Sequence, residues 1–257
     1  MTQLIPGDVR GVADVGDGQG VLTDARGRYT VTLARNAAEM REAQRLRHQV
    51  FAEEMGARLD SPITGLDVDP LDAYCDHLLV RHGDTVVGTY RLLAPGRSDR
   101  LYSDGEFDLS GLADIRPNMV EAGRTCVHPD HRGGAVVGLM WAAIARYMVD
   151  GGYGWLGGCC SIPLDDGGMT AAGVLDKIPL GPERFRVWPR YEWTGDRVPR
   201  PDRFVIPSLL RGYLRLGSWI CGAPAYDPDF GTADFFVLLS LAEVDTRYLR
   251  HFLGVTG

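Results

Sequence analysis

The sequence predicts an α/β fold: a mixed, twisted β-sheet with a bulged central strand, flanked by helices within one domain. Three observations lead there. MVEAGRTCV, AVVGLMWAAIARYMVD and YGWLGGCCSI follow one another as strand, helix and strand, which implies a right-handed crossover between parallel neighbours. HLLVRH and TVVGTYRLL flank a Gly83-Asp84 turn and read as an antiparallel hairpin. No internal repeat, low-complexity linker or compositional break divides the 257 residues into two cores.

Residues 1–28 are rich in glycine and aspartate, have no periodicity, and read as a flexible leader. The organised domain is expected over 29–257, opening with the alternating strand YTVTLA. A helix follows with legible ends: Asn36 is a good N-cap, Glu39 stands where a capping box needs it, and Gly56 suits the stop. Met40, Ala43, Val50 and Phe51 share its apolar face, and Arg47 falls in the middle of that face. A guanidinium there either snorkels to water or finds an anionic partner, because burying it unpaired costs several kcal/mol.

DVDPLDAYCD carries Asp67, Asp69, Asp72 and Asp76 and, taken alone, reads as a solvated acidic loop. In the hairpin beyond it, Arg91 shares a side with Val87 and Thr89, where a sheet face normally takes an apolar residue. Residues 94–118 are loop-rich, and the strand at 119–127 leads through HPDHRGG into a helix that is apolar on most sides and so buried. The region 163–206, rich in proline, arginine and tryptophan, has no clear pattern. Pro207 then opens a helix, PSLLRGYLRLGSWI, with Leu209, Leu210, Tyr213 and Leu214 on one side and Arg211 and Arg215 opposite. Such a helix covers a sheet or lies on an anionic membrane. A strand near Phe235–Leu241 and a short helix over 244–252 finish the chain.

Composition narrows the function. Lysine and arginine total 27 against 34 acidic residues, for a net charge of -7, the opposite of what a general nucleic-acid binder carries. Lys177 is the only lysine; the arginine bias points to anion handling or to nothing more than a GC-rich gene. Five cysteines, two of them adjacent and none in C-x-x-C spacing, suit neither a disulfide framework nor a zinc knuckle. No metal is expected at His128 and His131, whose spacing matches no standard zinc pattern. No segment reads as a signal peptide, and the longest apolar stretch falls far short of the roughly 18 residues that cross a bilayer. A cytoplasmic protein is expected.

Glu121 and Arg124 would face opposite sides of a regular strand. Gly123 between them permits a bulge that brings both to one face and tips backbone N–H groups outward. Followed by a glycine-rich turn and a helix start, this is either a site for an anion or carbonyl oxygen, or a surface ion pair beside a flexible glycine.

As a collinear set, LRHQVFAEEMGA, DVDPLDAYCDHLLV, VVGTYRLL, EAGRTCVHPDHR, LMWAAIARYM, GGCCS and LLRGYLRLGSWICGAPAYDPDFGTADFFVLL resemble the ornithine lipid N-acyltransferases of the GNAT superfamily, relatives of the acyl-homoserine lactone synthases. The resemblance runs from about Tyr29 to Leu253 and implies a single GNAT-like domain. It implies transfer of a 3-hydroxylated fatty acyl group from acyl carrier protein to the α-amine of ornithine, the first step of ornithine lipid synthesis. Arg47, Phe51, Asp69, Asp72, Arg91 and Ser161 become the substrate-binding set by resemblance, and Glu121, Arg124, Thr125 and Cys126 the catalytic set. Glu121 is the expected base, and backbone N–H groups near Thr125–Val127 the oxyanion donors. Val127, Arg132, Gly133 and Gly134, with Arg184, Arg186 and Arg190, are expected to meet the phosphopantetheine arm and its acidic carrier. The turn from Arg132 to Val137 is a compressed form of the coenzyme A signature, which favours a carrier-protein donor over a coenzyme A thioester. No permanently bound cofactor is implied. Acylation of lysine or glycine, a lactone-synthase-like reaction and a membrane-active, haemolysin-like protein are the alternatives, and a peripheral membrane contact through the Arg211/Arg215 helix stays open.

Overall fold

A computed structural model describes residues 21–24 and 26–244. The strands are β1 (Leu22–Thr23), β2 (Thr30–Leu33), β3 (Asp76–His82), β4 (Thr85–Leu93), β5 (Phe107–Asp108) and β6 (Met119–Val127). They continue as β7 (Trp155–Pro163), β8 (Trp188–Pro189), β9 (Trp219–Ile220), β10 (Ala225–Asp227) and β11 (Thr232–Ser240). The helices are α1 (Ala37–His48), α2 (Ser103–Glu106), α3 (Ala135–Asp150), α4 (Met169–Lys177) and α5 (Ser208–Arg215). The chain forms two compact units: one from the described parts of Met1–Leu93 and Ala122–Gly152, the other from Ala94–Glu121 and Tyr153–Val244. Strand β6 gives residues to both.

In the first unit β1, β2, β3 and β4 join by antiparallel ladders, with Gly83 at φ 59 turning the predicted hairpin. Strand pairing extends ahead of Tyr29: Leu22–Thr23 pairs with β2, and the Asp24 carboxylate accepts the N–H of Tyr29 at 2.8 Å. Helix α3 packs closely on β4: a Cβ at Gly88 would lie 2.6 Å from Val136 Cγ1. Asn36 caps α1 as expected, accepting from the N–H groups of Ala38 and Glu39. Glu39 reaches one residue further back than a capping box requires, to the N–H of Arg35 at 2.7 Å. The expected single helix to Gly56 is two pieces, since α1 passes into a π-helical turn over Gln49–Glu54. That wider turn ends with the N–H of Ala57 on the carbonyl of Phe51 and Gly56 at φ 74.

In the second unit β6 and β7 run parallel from Met119↔Trp155 to Glu121↔Gly157, as the strand–helix–strand order predicts. Strand β7 then pairs antiparallel with the whole of β11, and β11 with β9 and β10. Alternation along these strands sorts the side chains into two faces. Cys160, Ile162, Ala233, Phe235 and Val237 form one, packed with Ala171 and Val174 of α4 and Leu210 of α5. Tyr213 and Leu214 join that core, so α5 covers the sheet. The helix is shorter than predicted: Gly217, at φ 92, stops it, and Trp219–Ile220 is a strand. Helix α4 lies in the region that had no clear pattern. The helix expected over 244–252 falls outside the described residues beyond Val244.

Candidate active site

Arg47 is fully buried, and its partners explain how an arginine can occupy an apolar helix face. Its guanidinium grips Asp72 with two nitrogens, Nη1 on Oδ1 at 3.0 Å and Nη2 on Oδ2 at 2.7 Å. Its Nε lies 2.8 Å from Asp67 Oδ2, and Nη2 also donates to the Asp67 carbonyl. Arg91 stands 3.0 Å from Asp69 and 3.2 Å from Asp72, and Arg124 donates to Asp69 at 2.9 Å. Gln44 and the backbone N–H of Asp69 fill remaining positions on Asp72. Three guanidiniums thus meet three carboxylates in one buried, charge-balanced network. The substrate-set residues Arg47, Asp69, Asp72 and Arg91 come together with Arg124, and Phe51 is buried on the π-helical turn that extends α1. Asp67 is the member that the motif comparison left out.

Electrostatics follow the pairing. Burial alone would raise the Asp69 and Asp72 carboxyls, but the guanidiniums of Arg91 and Arg124, and of Arg47 and Arg91, hold them below the usual carboxylate range. Burial pushes His77 down, leaving it neutral, and its Nε2 donates to the Asp72 carbonyl at 3.1 Å.

The irregularity in β6 falls on Arg124 itself, at φ 51, rather than on Gly123. An arginine is seldom found in the left-handed region, and the bond to Asp69 tethers the side chain of the strained residue. Just beyond, Thr125 Oγ1 is a buried hydroxyl without a hydrogen-bond partner among the described residues. Burial drives the Cys126 thiol up to about 12, which leaves it no nucleophile at neutral pH. The Val127 carbonyl accepts from Arg132 Nε at 3.1 Å, while the rest of that guanidinium binds Glu54 twice, at 2.6 and 2.7 Å. Gly133 leads to Gly134, which at φ 91 makes the turn into α3.

In the second unit Glu121 takes the last rung of the parallel ladder. It shares a sheet face with Cys159 and Ser161 of β7, and Asp234 stands opposite Ser161 on β11. Glu121 is buried, and its two oxygens accept the N–H groups of Tyr102 and Ser103, both at 2.8 Å. It thereby fixes the start of α2, whose Ser103 also meets Cys159 Sγ at 3.4 Å. Burial raises the Cys159 thiol well above its ordinary value, and Cys160 reaches about 12 for the same reason, so neither is a nucleophile. The Arg184 guanidinium lies over the Phe185 ring at 4.8 Å, Arg186 buries Nη1 without a hydrogen-bond partner among the described residues, and Arg190 Nε donates to the Asp104 carbonyl at 2.7 Å. Glu106, at the end of α2, was missed. It sits in a loop-rich stretch where a lone glutamate carries no pattern, and its surroundings come from sequence-distant strands.

Over 92% of its length the chain is 32% identical to the L-ornithine Nα-acyltransferase of Brucella abortus (strain 2308), matching 92% of that protein. It is 34% identical to that of Rhodobacter capsulatus, over 86% of this chain and 93% of the relative. The chain belongs to the L-ornithine Nα-acyltransferase family. This N-acyltransferase also matches the Acetyltransferase (GNAT) domain family over residues 46–142. Its fold resembles FeeM, an N-acyl amino acid synthase from uncultured soil microbes, with a TM-score of 0.54 at 14% identity, covering 87% of this chain and 98% of that one. It also resembles the acyl-homoserine lactone synthase BjaI, at TM-score 0.51 and 20% identity, covering 84% and 81%. The α/β GNAT fold and the family expected from the sequence both hold.

Proposed function

We propose that this enzyme transfers a 3-hydroxyacyl group from acyl carrier protein to the α-amine of ornithine, as a single acyltransferase domain over 29–257. End-to-end likeness to relatives named for ornithine Nα-acylation carries this reading. An amine attacks a thioester only when neutral, and an ornithine α-amine is mostly protonated near neutral pH, so the transfer needs a proton acceptor and donors for the oxyanion. The backbone N–H groups around the kink from Thr125 to Val127 serve as those donors. No acyl-enzyme is needed, because holding amine and thioester together supplies much of the acceleration.

The balanced network of Arg47, Asp67, Asp69, Asp72, Arg91 and Arg124 fixes β6 and the Asp67–Asp72 turn in one arrangement. Its carboxylates are already answered by guanidiniums, so its part in substrate binding is to shape the site rather than to neutralise a second ammonium. Glu121 positions α2 through its two backbone bonds, and Ser161, exposed on the same face, meets the amino acid. On the donor side Arg184 and Arg186 meet the acidic carrier, and Arg132 exchanges Glu54 for the phosphate of the arm. The chain works in the cytoplasm; among the described residues no helix is long and apolar enough to cross a membrane. The apolar side of α5 is spent on the core, which leaves it little to offer a bilayer.

The test is to incubate the purified protein with 3-hydroxyacyl carrier protein and follow thiol release with ornithine, lysine, glycine and S-adenosylmethionine in parallel. Release dependent on ornithine supports the reading. Release with S-adenosylmethionine alone, or liposome leakage without thiol release, overturns it.

A further inference from the structure

Glu106 ends α2, whose start lies on the sheet face of the second unit that carries Glu121, Cys159 and Asp234: Tyr102 and Ser103 bond Glu121, and Ser103 meets Cys159. Its carboxyl is half-buried, and among the described residues no hydrogen bond or ion pair engages it. Three other carboxylates act on it electrostatically: Asp234 on β11, Asp227 on β10, and Asp229 in the turn between those strands. Asp227 and Asp234 are already engaged. Asp227 accepts from the N–H groups of Asp229 and Phe230 and from the Tyr102 hydroxyl, and Asp234 accepts from Thr232 Oγ1 at 2.7 Å. On α2 itself Asp104 is bound by Arg116, at 2.7 and 2.5 Å. Arg190 gives its backbone N–H to the Glu106 carbonyl and its Nε to the Asp104 carbonyl, so this cation touches the helix backbone and not the Glu106 carboxyl. Burial first, and then Asp234, Asp227 and Asp229, push the Glu106 carboxyl up to about 7. A general base works best when its affinity for protons matches the working pH, and this group is poised there.

We propose that Glu106 is the catalytic base of the acyl transfer, held in place by Glu121 through α2. The inference rests on the proposed transfer to an amine. Glu106 takes one proton from the incoming substrate ammonium and becomes a neutral acid, leaving a free lone pair on nitrogen. That pair forms the C–N bond at the thioester carbonyl. When the tetrahedral intermediate collapses, the C–S bond breaks, the leaving thiolate takes the second amine proton as a thiol, and Glu106 returns its proton to water. The three fixed carboxylates around it favour a cationic substrate before the transfer and an uncharged Glu106 after it.

The experiment compares wild type, Glu106→Gln and Glu106→Asp in the thiol-release assay with 3-hydroxyacyl carrier protein, from pH 5.5 to 9.5, with ornithine and with lysine and glycine as acceptors. Wild-type kcat should fall about tenfold per pH unit below a bend near 7. Glu106→Gln should lose that bend and about 100-fold in kcat at pH 7, with the gap narrowing above pH 9, where the amine sheds its proton unaided. Glu106→Asp should restore part of the rate. A purely structural role would lower the rate equally at every pH, and Glu106→Gln with an unchanged bend or rate would also overturn the assignment. If the wild type acylates another amine but not ornithine, the ornithine reading fails while the test of Glu106 still runs. If it acylates none, both fall.

Discussion

The buried network of the first unit and the acidic face of the second hold similar numbers of carboxylates in opposite electrical states. Asp67, Asp69 and Asp72 are answered by Arg47, Arg91 and Arg124 at hydrogen-bond distances, and the guanidiniums hold the Asp69 and Asp72 carboxyls below the usual carboxylate range. Glu106 is pushed up instead, by burial and by Asp234, Asp227 and Asp229. The same residue type, buried with cations, becomes a fixed strut; half-buried among its own kind, it becomes a group that gains and loses protons where the enzyme works. Charge in the first region serves the frame, and charge in the second serves the reaction.

The largest effect should come from breaking the frame. Arg47→Ala leaves Asp67 and Asp72 buried without their principal cation and should cost about 3–5 kcal/mol in urea unfolding. The sign with pH is set by the lowered carboxyls. The stability that Asp69 and Asp72 contribute is present above their unfolded values near pH 4 and is lost as pH falls through their folded values. Wild type should therefore weaken steadily below about pH 4, and Arg47→Ala should show a flatter acid limb. An Arg47→Ala protein as stable as wild type would mean that the network is not the strut described.

Glu121→Gln tests the boundary between the two roles. The amide keeps one acceptor and turns an NH2 group toward a backbone donor, which loosens the start of α2. A loss of about tenfold in kcat is expected, from a bond to a charged acceptor worth about 1.5–3 kcal/mol. The bend near pH 7 should remain, because it belongs to Glu106. Disappearance of the bend in this variant would return the role of base to Glu121, where the sequence placed it.

The frame was more legible than the reactive face, for a physical reason. Arg47 on an apolar helix stripe, Arg91 on a sheet face and three aspartates in DVDPLD each break a local rule, and a broken rule can be seen without coordinates. Asn36 and the β6–α3–β7 order follow local rules just as visibly. Glu106 breaks none. It is a polar residue in a loop-rich stretch, and what makes it unusual arrives from β10, β11 and the turn between them, far along the chain. Asp67 was visible, but its tie to Arg47 depends on how one turn folds back. The π-helical turn at Gln49–Glu54 and helix α4 leave only faint traces, since periodicity does not separate an α from a π turn and α4 is made largely of small residues.

Charge reversal at Arg184 and Arg186 should act on neither region. The Arg184→Glu, Arg186→Glu protein should raise the KM for acyl carrier protein several-fold, more at low salt than at high, with the KM for the amine unchanged. Equal changes in both constants would place these arginines at the amine instead.

The smallest effect sharpens the comparison most. Arg132 and Glu54 form a two-bond pair much like that of Arg47 and Asp72, with contacts of 2.6 and 2.7 Å. The difference is water: their side chains are 45% and 36% exposed, whereas those of Arg47 and Asp72 are 1% and 3% exposed. The Arg132 hydrogen bond lowers the Glu54 carboxyl, yet solvent screens the pair on both sides. Glu54→Ala should therefore change unfolding stability by less than about 1 kcal/mol. It should also release Arg132 for the phosphate of the donor, so the KM for acyl carrier protein should fall while the amine constant stays put. A loss as large as that of Arg47→Ala would show that geometry rather than burial sets the worth of these pairs. An unchanged donor constant would remove Arg132 from the path of the arm.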